Sequence, residues 1–264
     1  MTNLIHPTAI IDPTAELGRN VSVGPYTIIE GDVEIGDDCE IAPHVLIAAG
    51  TRMGRRNKIF KGASIGAVPQ DLKFGNEKTI FRMGDDNTIR EFCTLNLGTV
   101  ATGETRLGNN CLLMAYCHLG HDCHIGNNFV AANLVNLAGH VTVGDYVGVG
   151  GMVAIVQFRT IGDYAFIGAF MSVVKDIPPY ALTAANPSRI VSINKVGLER
   201  RGFDESRRRA IKNAYKILFR ENLLFADALA KITATYPVND DIRKLVEFAQ
   251  KSERGLLRMG SSEE

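Results

Sequence analysis

The sequence predicts an all-β domain, a parallel β-helix of six-residue repeats, with a C-terminal α-helical domain appended. Three observations carry this reading. An aliphatic residue returns every six positions from Ile5 to Val173, the frame stops at paired prolines, and a helical periodicity replaces it afterwards. Of 29 frame positions, 25 are Ile, Leu, Val or Met, the exceptions being Asp71, Glu77, Ala101 and Ala131. Neither helical heptads nor strand alternation sustains a period of six over such a length.

Each hexad is expected to form one short strand and a turn, three hexads closing a triangular coil. The frame residue points inward and stacks on its counterpart one coil later, at the inter-strand spacing of about 4.8 Å. Gly often follows the aliphatic (Leu17-Gly18, Ile35-Gly36, Ile161-Gly162), which is read as meeting tight backbone geometry near the corners. The residue four past each aliphatic is usually small (Ala9, Ala15, Val21, Thr27, Ala63), as a narrow prism requires. All five cysteines (Cys39, Cys93, Cys111, Cys117, Cys123) occupy that slot, so they read as core, small hydrophobes with no disulfide framework. Loops are expected near residues 71–82 and 98–106, where the pattern turns polar and function concentrates on a rigid scaffold. Asp71 and Glu77 then stand where aliphatics belong.

The repeat is expected to end at Asp176-Ile-Pro-Pro-Tyr180, because proline cannot donate to a strand ladder. The β-helix is placed at 1–190 and the helical domain at 191–264. Asp204 suits an N-cap before a helix whose apolar face carries Ile211, Ala214, Tyr215 and Leu218. A second helix is read over 221–236 and a third over 239–252. From Lys195 onward there are 15 Lys and Arg against 11 Asp and Glu, so this tail is positive by four. It reads either as a solvated face or as a dock for an acidic partner.

The formal charge of zero gives no global pull toward nucleic acid. No apolar stretch approaches the length of a membrane span, and MTNLIHPTAI lacks the features of a signal peptide. With unpaired cysteines these point to a cytoplasmic protein without an integral membrane segment.

Four of the six histidines cluster: His118, His121, His124 and His140. His121 and His140 are nineteen residues apart and so fall on adjacent coils near one edge. Neither His118 nor His121 takes an inward slot, so both are expected at the surface, His121 with Asp122 beside it. Three readings stay open: a general base supported by a carboxylate, a zinc site, and plain surface histidines.

The segments SIGAVPQDLKF (64–74), CLLMAYCHLGHDCHIGNN (111–128), NLAGHVTVGD (136–145), DIPPY (176–180) and GLERRGF (197–203) resemble the bacterial UDP-N-acetylglucosamine acyltransferases that begin lipid A synthesis, and the likeness runs from end to end. It implies a left-handed β-helix, homotrimers with sites between subunits, a 3-hydroxyacyl donor on acyl carrier protein and UDP-N-acetylglucosamine as acceptor. It implies no cofactor beyond the 4'-phosphopantetheine that arrives on the carrier, and no metal. On the matching positions, His121 is the base, Asp122 its supporting carboxylate, and the Gly139 N–H the oxyanion donor. Gln70, Asp71, Lys73, His118, His140, Gln157, Asn194, Arg200 and Arg201 hold substrate, the basic helix meets the carrier protein, and Ala169 is the acyl-length ruler, implying a medium chain.

Many members of that family carry His-Gln-Phe at Val156-Gln157-Phe158 and His-Arg at Asn96-Leu97. These departures raise the expectation of a 3-amino acceptor and an amide product. The rivals are the later N-acyltransferase of the same pathway, a γ-class carbonic anhydrase-like zinc enzyme, and a non-catalytic β-helical scaffold.

Overall fold

The computed structural model describes residues 4–75 and 77–260. Leu4 and Ile5 pair in parallel with Ser22 and Val23, eighteen residues on, and this offset is the three-hexad coil. Strands from successive hexads enter three sheets in turn, of eleven, nine and eight strands, called here faces 1, 2 and 3. The result is a left-handed parallel β-helix. Its frame aliphatics are buried from Val23 to Val173, apart from the two interrupted stretches, and form one continuous core. All five cysteines are free and buried within it; burial pushes the Cys111 thiol up to about 11 and that of Cys123 to about 12.

Two insertions interrupt the coil, both after face 2. Ile59 pairs with Ile41 eighteen residues back but with Ile89 thirty residues ahead, an excess of twelve. Ile89 pairs with Leu113 twenty-four residues ahead, an excess of six. Both excesses are multiples of six, so the frame resumes as if unbroken. Asp71 and Glu77, although on the six-residue count, therefore do not occupy core slots: they belong to the first insertion, within the expected loop, between strands Ser64–Ala67 and Ile80–Met83. Ala101 lies in the second, between Thr94–Asn96 and Glu104–Leu107, while Ala131 is a true core residue. Residues 80–82 and 104–106, expected in loops, are strand.

The corner geometry also differs from expectation. The positive φ that turns each corner falls three residues past the aliphatic, on Asn20, Asp38, Asp122, His140 and Phe158 among others, and not on the glycine that directly follows it. That glycine is required by close stacking: a Cβ on Gly36 would stand 2.7 Å from the Gly54 carbonyl carbon one coil up. On the edge between faces 3 and 1, Asn and Asp side chains fill the corner. The backbone N–H groups of Asp85, Asn109, Asn127 and Asp145 donate to Asn109, Asn127, Asp145 and Asp163 in turn, at 2.6–3.0 Å.

Past face 3 the chain forms an antiparallel hairpin, Ala181–Ala184 with Arg189–Ile193, so this strand straddles the expected boundary at 190/191. Helices follow at Lys195–Arg200 (α1), Glu205–Arg220 (α2), Phe225–Thr235 (α3) and Asp240–Lys251 (α4). Asp204 caps α2, accepting from the Arg207 N–H at 2.8 Å. The short α1 was not foreseen, and α3 starts at Phe225 because Glu221 ends α2. Ile211, Ala214 and Tyr215 are buried; Leu218 is half-buried and Ile217 takes its place facing the core. The tail closes the C-terminal end of the prism. Ser252 donates to the buried Asp176 carboxylate at 2.6 Å, Tyr180 to the Asp241 carbonyl at 3.2 Å, and Leu256 forms a single parallel bridge with Asp176. Covering the last coil in this way removes an unpaired strand edge.

Candidate active site

Leu95, Leu119, Leu137 and Ile155 are in register on face 2. The residues that follow them stack along the edge between faces 2 and 3: Asn96-Leu97, Gly120-His121-Asp122, Ala138-Gly139-His140 and Val156-Gln157-Phe158. Asp122, His140 and Phe158 are the left-handed corner residues, with φ of 58°, 61° and 62°, which aims their side chains along the edge. His121 Nδ1 lies 2.7 Å from Asp122 Oδ2. The His121 ring meets His140 edge-on at 5.0 Å, and His140 stacks on Phe158 at 4.5 Å.

His121 is buried, at 8% exposure, where a surface histidine was expected. Its ring lies flat against the next coil: a Cβ on Gly139 would stand 2.5 Å from His121 Nε2, so only glycine admits the imidazole there. The Gly139 N–H donates no hydrogen bond among the described residues, which leaves a donor available beside the ring.

Asp122 is fully enclosed. Its carboxylate accepts from the Thr99 N–H at 2.9 Å, the Thr99 hydroxyl at 2.8 Å, the Thr102 hydroxyl and His121 Nδ1. Burial alone would push this carboxyl up, but the bonds from Thr102, His121 and Thr99 outweigh it and hold it at about 2. Thr99 and Thr102 come from the second insertion and were missed by sequence reasoning. An irregular loop has no period, and the only available signal was that the frame broke. Burial holds His140 below the usual imidazole range against the pull of Asp122. His118, bonded to Thr94 at 2.8 Å, is held down by burial as well.

Nitrogens of His121 and His140 and an oxygen of Asp122 lie within 4.8 Å of one another. Zinc bonds of about 2.0–2.1 Å would need ligand atoms roughly 3.4 Å apart, and Asp122 already accepts four hydrogen bonds. The trio suits proton handling better than metal binding.

The expected site residues divide among three edges of the prism. His121, Asp122, Gly139, His140 and the exposed Gln157 share the edge between faces 2 and 3, with His118 beside it in a strand of face 2. The first insertion, with Gln70, Asp71 and Lys73, springs from that same edge, and Asp71 acts electrostatically on His140. Asn194, Arg200 and Arg201 sit instead at the edge between faces 3 and 1. Arg201 lies 4.6 Å over the Tyr146 ring, and both arginines and Asn194 line a cavity of about 700 Å³. Asn194 is already engaged, capping α1 through the Gly197 N–H at 3.1 Å and donating to the Tyr164 carbonyl at 2.9 Å. Ala169 lies on the third edge, between faces 1 and 2, roughly 13 Å farther along the axis than His121 at about 4.8 Å per coil. A second cavity, of about 890 Å³, is lined by Arg208, Arg209, Lys212, Lys216 and Arg220 of α2. Neither cavity includes His121.

Residues 176–257 match the family described as UDP-N-acetylglucosamine O-acyltransferase, domain 2, and residues 14–49 and 104–130 match the bacterial transferase hexapeptide family. The acyl-[acyl-carrier-protein]–UDP-N-acetylglucosamine O-acyltransferase of Paracidovorax citrulli is 52% identical over 96% of this chain and 99% of its own length. That of Myxococcus xanthus is 48% identical over 96% and 99%. Among solved structures, the UDP-N-acetylglucosamine acyltransferase of Francisella novicida superposes with a TM-score of 0.95 at 36% identity, covering 98% of this chain and 95% of that one. The Arabidopsis UDP-N-acetylglucosamine acyltransferase superposes with a TM-score of 0.85 at 31% identity, over 97% and 100%.

Proposed function

The chain belongs to the UDP-N-acetylglucosamine O-acyltransferase family, and on that premise we propose that His121 is the general base that deprotonates O3 of UDP-N-acetylglucosamine as this atom takes the acyl chain from acyl carrier protein. The overall activity is that of an acyl-[acyl-carrier-protein]–UDP-N-acetylglucosamine O-acyltransferase, and the family's role is the first step of lipid A biosynthesis. The observation that carries the catalytic reading is the His121 ring, tied by Nδ1 to the Asp122 carboxylate and lying against Gly139, with Nε2 not engaged by that bond.

With Nδ1 protonated toward Asp122, Nε2 accepts the proton of the sugar 3-hydroxyl as O3 attacks the thioester carbonyl. The carbonyl oxygen becomes an oxyanion, for which the free Gly139 N–H is the donor at hand. Collapse breaks the carbon–sulfur bond, and the departing thiolate takes the proton back from Nε2. The ester and the carrier thiol leave with every proton accounted for. Asp71, Lys73, Gln70, His118, His140 and Gln157 flank the acceptor, while Asn194, Arg200 and Arg201 receive the nucleotide from a neighbouring chain.

That division supports a homotrimer, because residues on three edges of one prism converge only when another copy brings a different edge to His121. The edge between faces 1 and 2 fits that contact. It presents Tyr26, Phe92, Tyr116, Leu134, Met152 and Phe170 as an exposed apolar row, and Leu72 of the first insertion stands fully exposed. Such patches mark interfaces. The basic groove of α2 suits the acidic carrier protein.

The test is incubation of purified protein with UDP-N-acetylglucosamine, or its 3-amino analogue, and 3-hydroxyacyl carrier proteins of several lengths, with products read by mass spectrometry. Acylated UDP-N-acetylglucosamine that disappears in His121→Ala supports the mechanism. Faster turnover of the amino analogue would move the acceptor atom to nitrogen, and undiminished product in His121→Ala would remove the base assignment. In the same assay Ala169→Gly is expected to shift preference toward longer donors, since a methyl group leaves the end of the acyl groove; an unchanged profile would take Ala169 out of that role.

A further inference from the structure

We propose that the second insertion is a clamp in which Thr99 and Thr102 are positioning residues: they fix the Asp122 carboxylate so that it holds His121 with Nδ1 protonated and Nε2 free to accept a proton. This rests on the reading of His121 as the base.

A regular coil could not supply the clamp. The ladder carboxylates Asp145 and Asp163 each take one backbone N–H and one side-chain donor at a partly exposed corner. Asp122 instead sits beneath a loop made possible by the six extra residues, and its side chain is wholly shielded from solvent. Three donors close on it from that loop: the Thr99 N–H, the Thr99 hydroxyl on Oδ2, and the Thr102 hydroxyl on Oδ1. The backbone of Asp122 is pinned from below, its N–H donating to the buried Thr105 hydroxyl at 2.8 Å. The loop is itself tightly closed. Gly103 N–H donates to the Thr99 carbonyl at 2.8 Å, the Ala101 N–H donates to the Thr99 hydroxyl at 3.2 Å, and a Cβ on Gly98 would stand 2.5 Å from the Glu104 carbonyl carbon.

The chemistry follows from the donor count. A buried carboxylate without donors takes up a proton; once neutral, it no longer polarises Nδ1–H or fixes the imidazole tautomer. The donors share its charge, leaving Oδ2 as the acceptor for His121. Around the pair stand His140, whose Nε2 is 3.6 Å from Asp122 Oδ2, His118, which acts electrostatically on His121, the neutral thiol of Cys123, Asp71 and His124 beyond His140, and Glu104 at the end of the loop. No cation faces the carboxylate among the described side chains, so the hydroxyls carry the compensation. Thr99 contributes more than Thr102, whose single hydroxyl proton has a second acceptor in the Glu104 carbonyl at 2.8 Å.

The experiment is the pH dependence of kcat and KM for the full-length enzyme, with UDP-N-acetylglucosamine and a 3-hydroxyacyl carrier protein, in wild type, Thr99→Val, Thr99→Ser, Thr102→Val and His121→Ala. Thr102 is exposed outside its hydroxyl contact, so Thr102→Val tests the clamp without risk to folding. Thr99→Val is expected to lower kcat by about tenfold to a hundredfold, and Thr102→Val less. In both, the acid limb of the profile moves to higher pH, because a proton taken up by the His121–Asp122 pair now relieves an uncompensated buried charge. KM for the sugar nucleotide stays near its wild-type value, and Thr99→Ser restores kcat and the limb together. An unmoved acid limb in both Val variants, with turnover still lost in His121→Ala, overturns the clamp alone. Retained turnover in His121→Ala overturns the base assignment and with it the purpose of the clamp.

Discussion

On the edge between faces 3 and 1, the backbone N–H two residues past each inward aliphatic is taken by an Asn or Asp from the next coil, through Asp85, Asn109, Asn127 and Asp145. On the edge between faces 2 and 3, the corresponding N–H at Gly139 has no hydrogen-bond partner among the described residues, and the imidazole of His121 from the preceding coil lies against this glycine. The backbone turns both corners in the same way, with a left-handed residue three past the aliphatic. What differs is whether the corner satisfies itself. A self-satisfied corner gives a stiff ladder; an unsatisfied one, shielded by an insertion, gives a donor beside a base. The candidate base therefore lies at a corner that lacks the ladder and is covered by an insertion.

Substituting the glycine on each edge should separate the two roles most sharply. Gly139→Ala drives a methyl against His121 and displaces the ring. We expect kcat to fall about a hundredfold with little change in melting temperature. Gly144→Ala, on the ladder edge, places its Cβ 2.2 Å from Asp163 Oδ1 and 2.8 Å from the Asp163 nitrogen. Overpacking there should cost about 1–3 kcal/mol of stability and leave kcat nearly unchanged. Equal kcat losses in the two variants would erase the distinction.

Acid should act on the catalytic edge in two stages, read as melting temperature against pH. Burial holds His118 and His140 below the usual imidazole range. Their neutral forms therefore contribute stability present above the unfolded value of about 6.5 and lost as pH falls through it. Asp122, at about 2 against an unfolded value of about 3.9, contributes stability lost only as pH falls from about 4 toward 2. His118→Gln should reduce the first loss and leave the second; equal losses in this variant and the unsubstituted protein at pH 5 would break this assignment.

The smallest effect belongs to the end of the ladder, where Lys244 of α4 reaches Asp163 at 2.8 Å. This pair is half-exposed, and Lys244→Met should cost no more than about 1 kcal/mol in urea unfolding. A larger loss would mean that the ladder depends on its terminal charge.

The fold was legible because every coil asks the same thing of every sixth residue, and a demand repeated so often rises above local exceptions. The five cysteines could be assigned to the core on that frame alone, and His121 and His140 to neighbouring coils of one edge by their spacing. The insertions were only half legible: their lengths are multiples of six, so Asp71 and Glu77 counted as frame positions when they are loop. His121 was misjudged as exposed because an outward slot can still be covered, here by the next coil at Gly139 and the neighbouring His140. The prism and its core could be read from a local period, and the segment that bears the proposed base from its likeness to the family. Only the tertiary structure decided that Thr99 and Thr102 enclose Asp122, and that the expected site residues divide among three edges. Those contacts join an aperiodic loop to a coil some twenty residues away, or one edge to another, and they are fixed by packing and hydrogen-bond satisfaction, which leave no period in the chain.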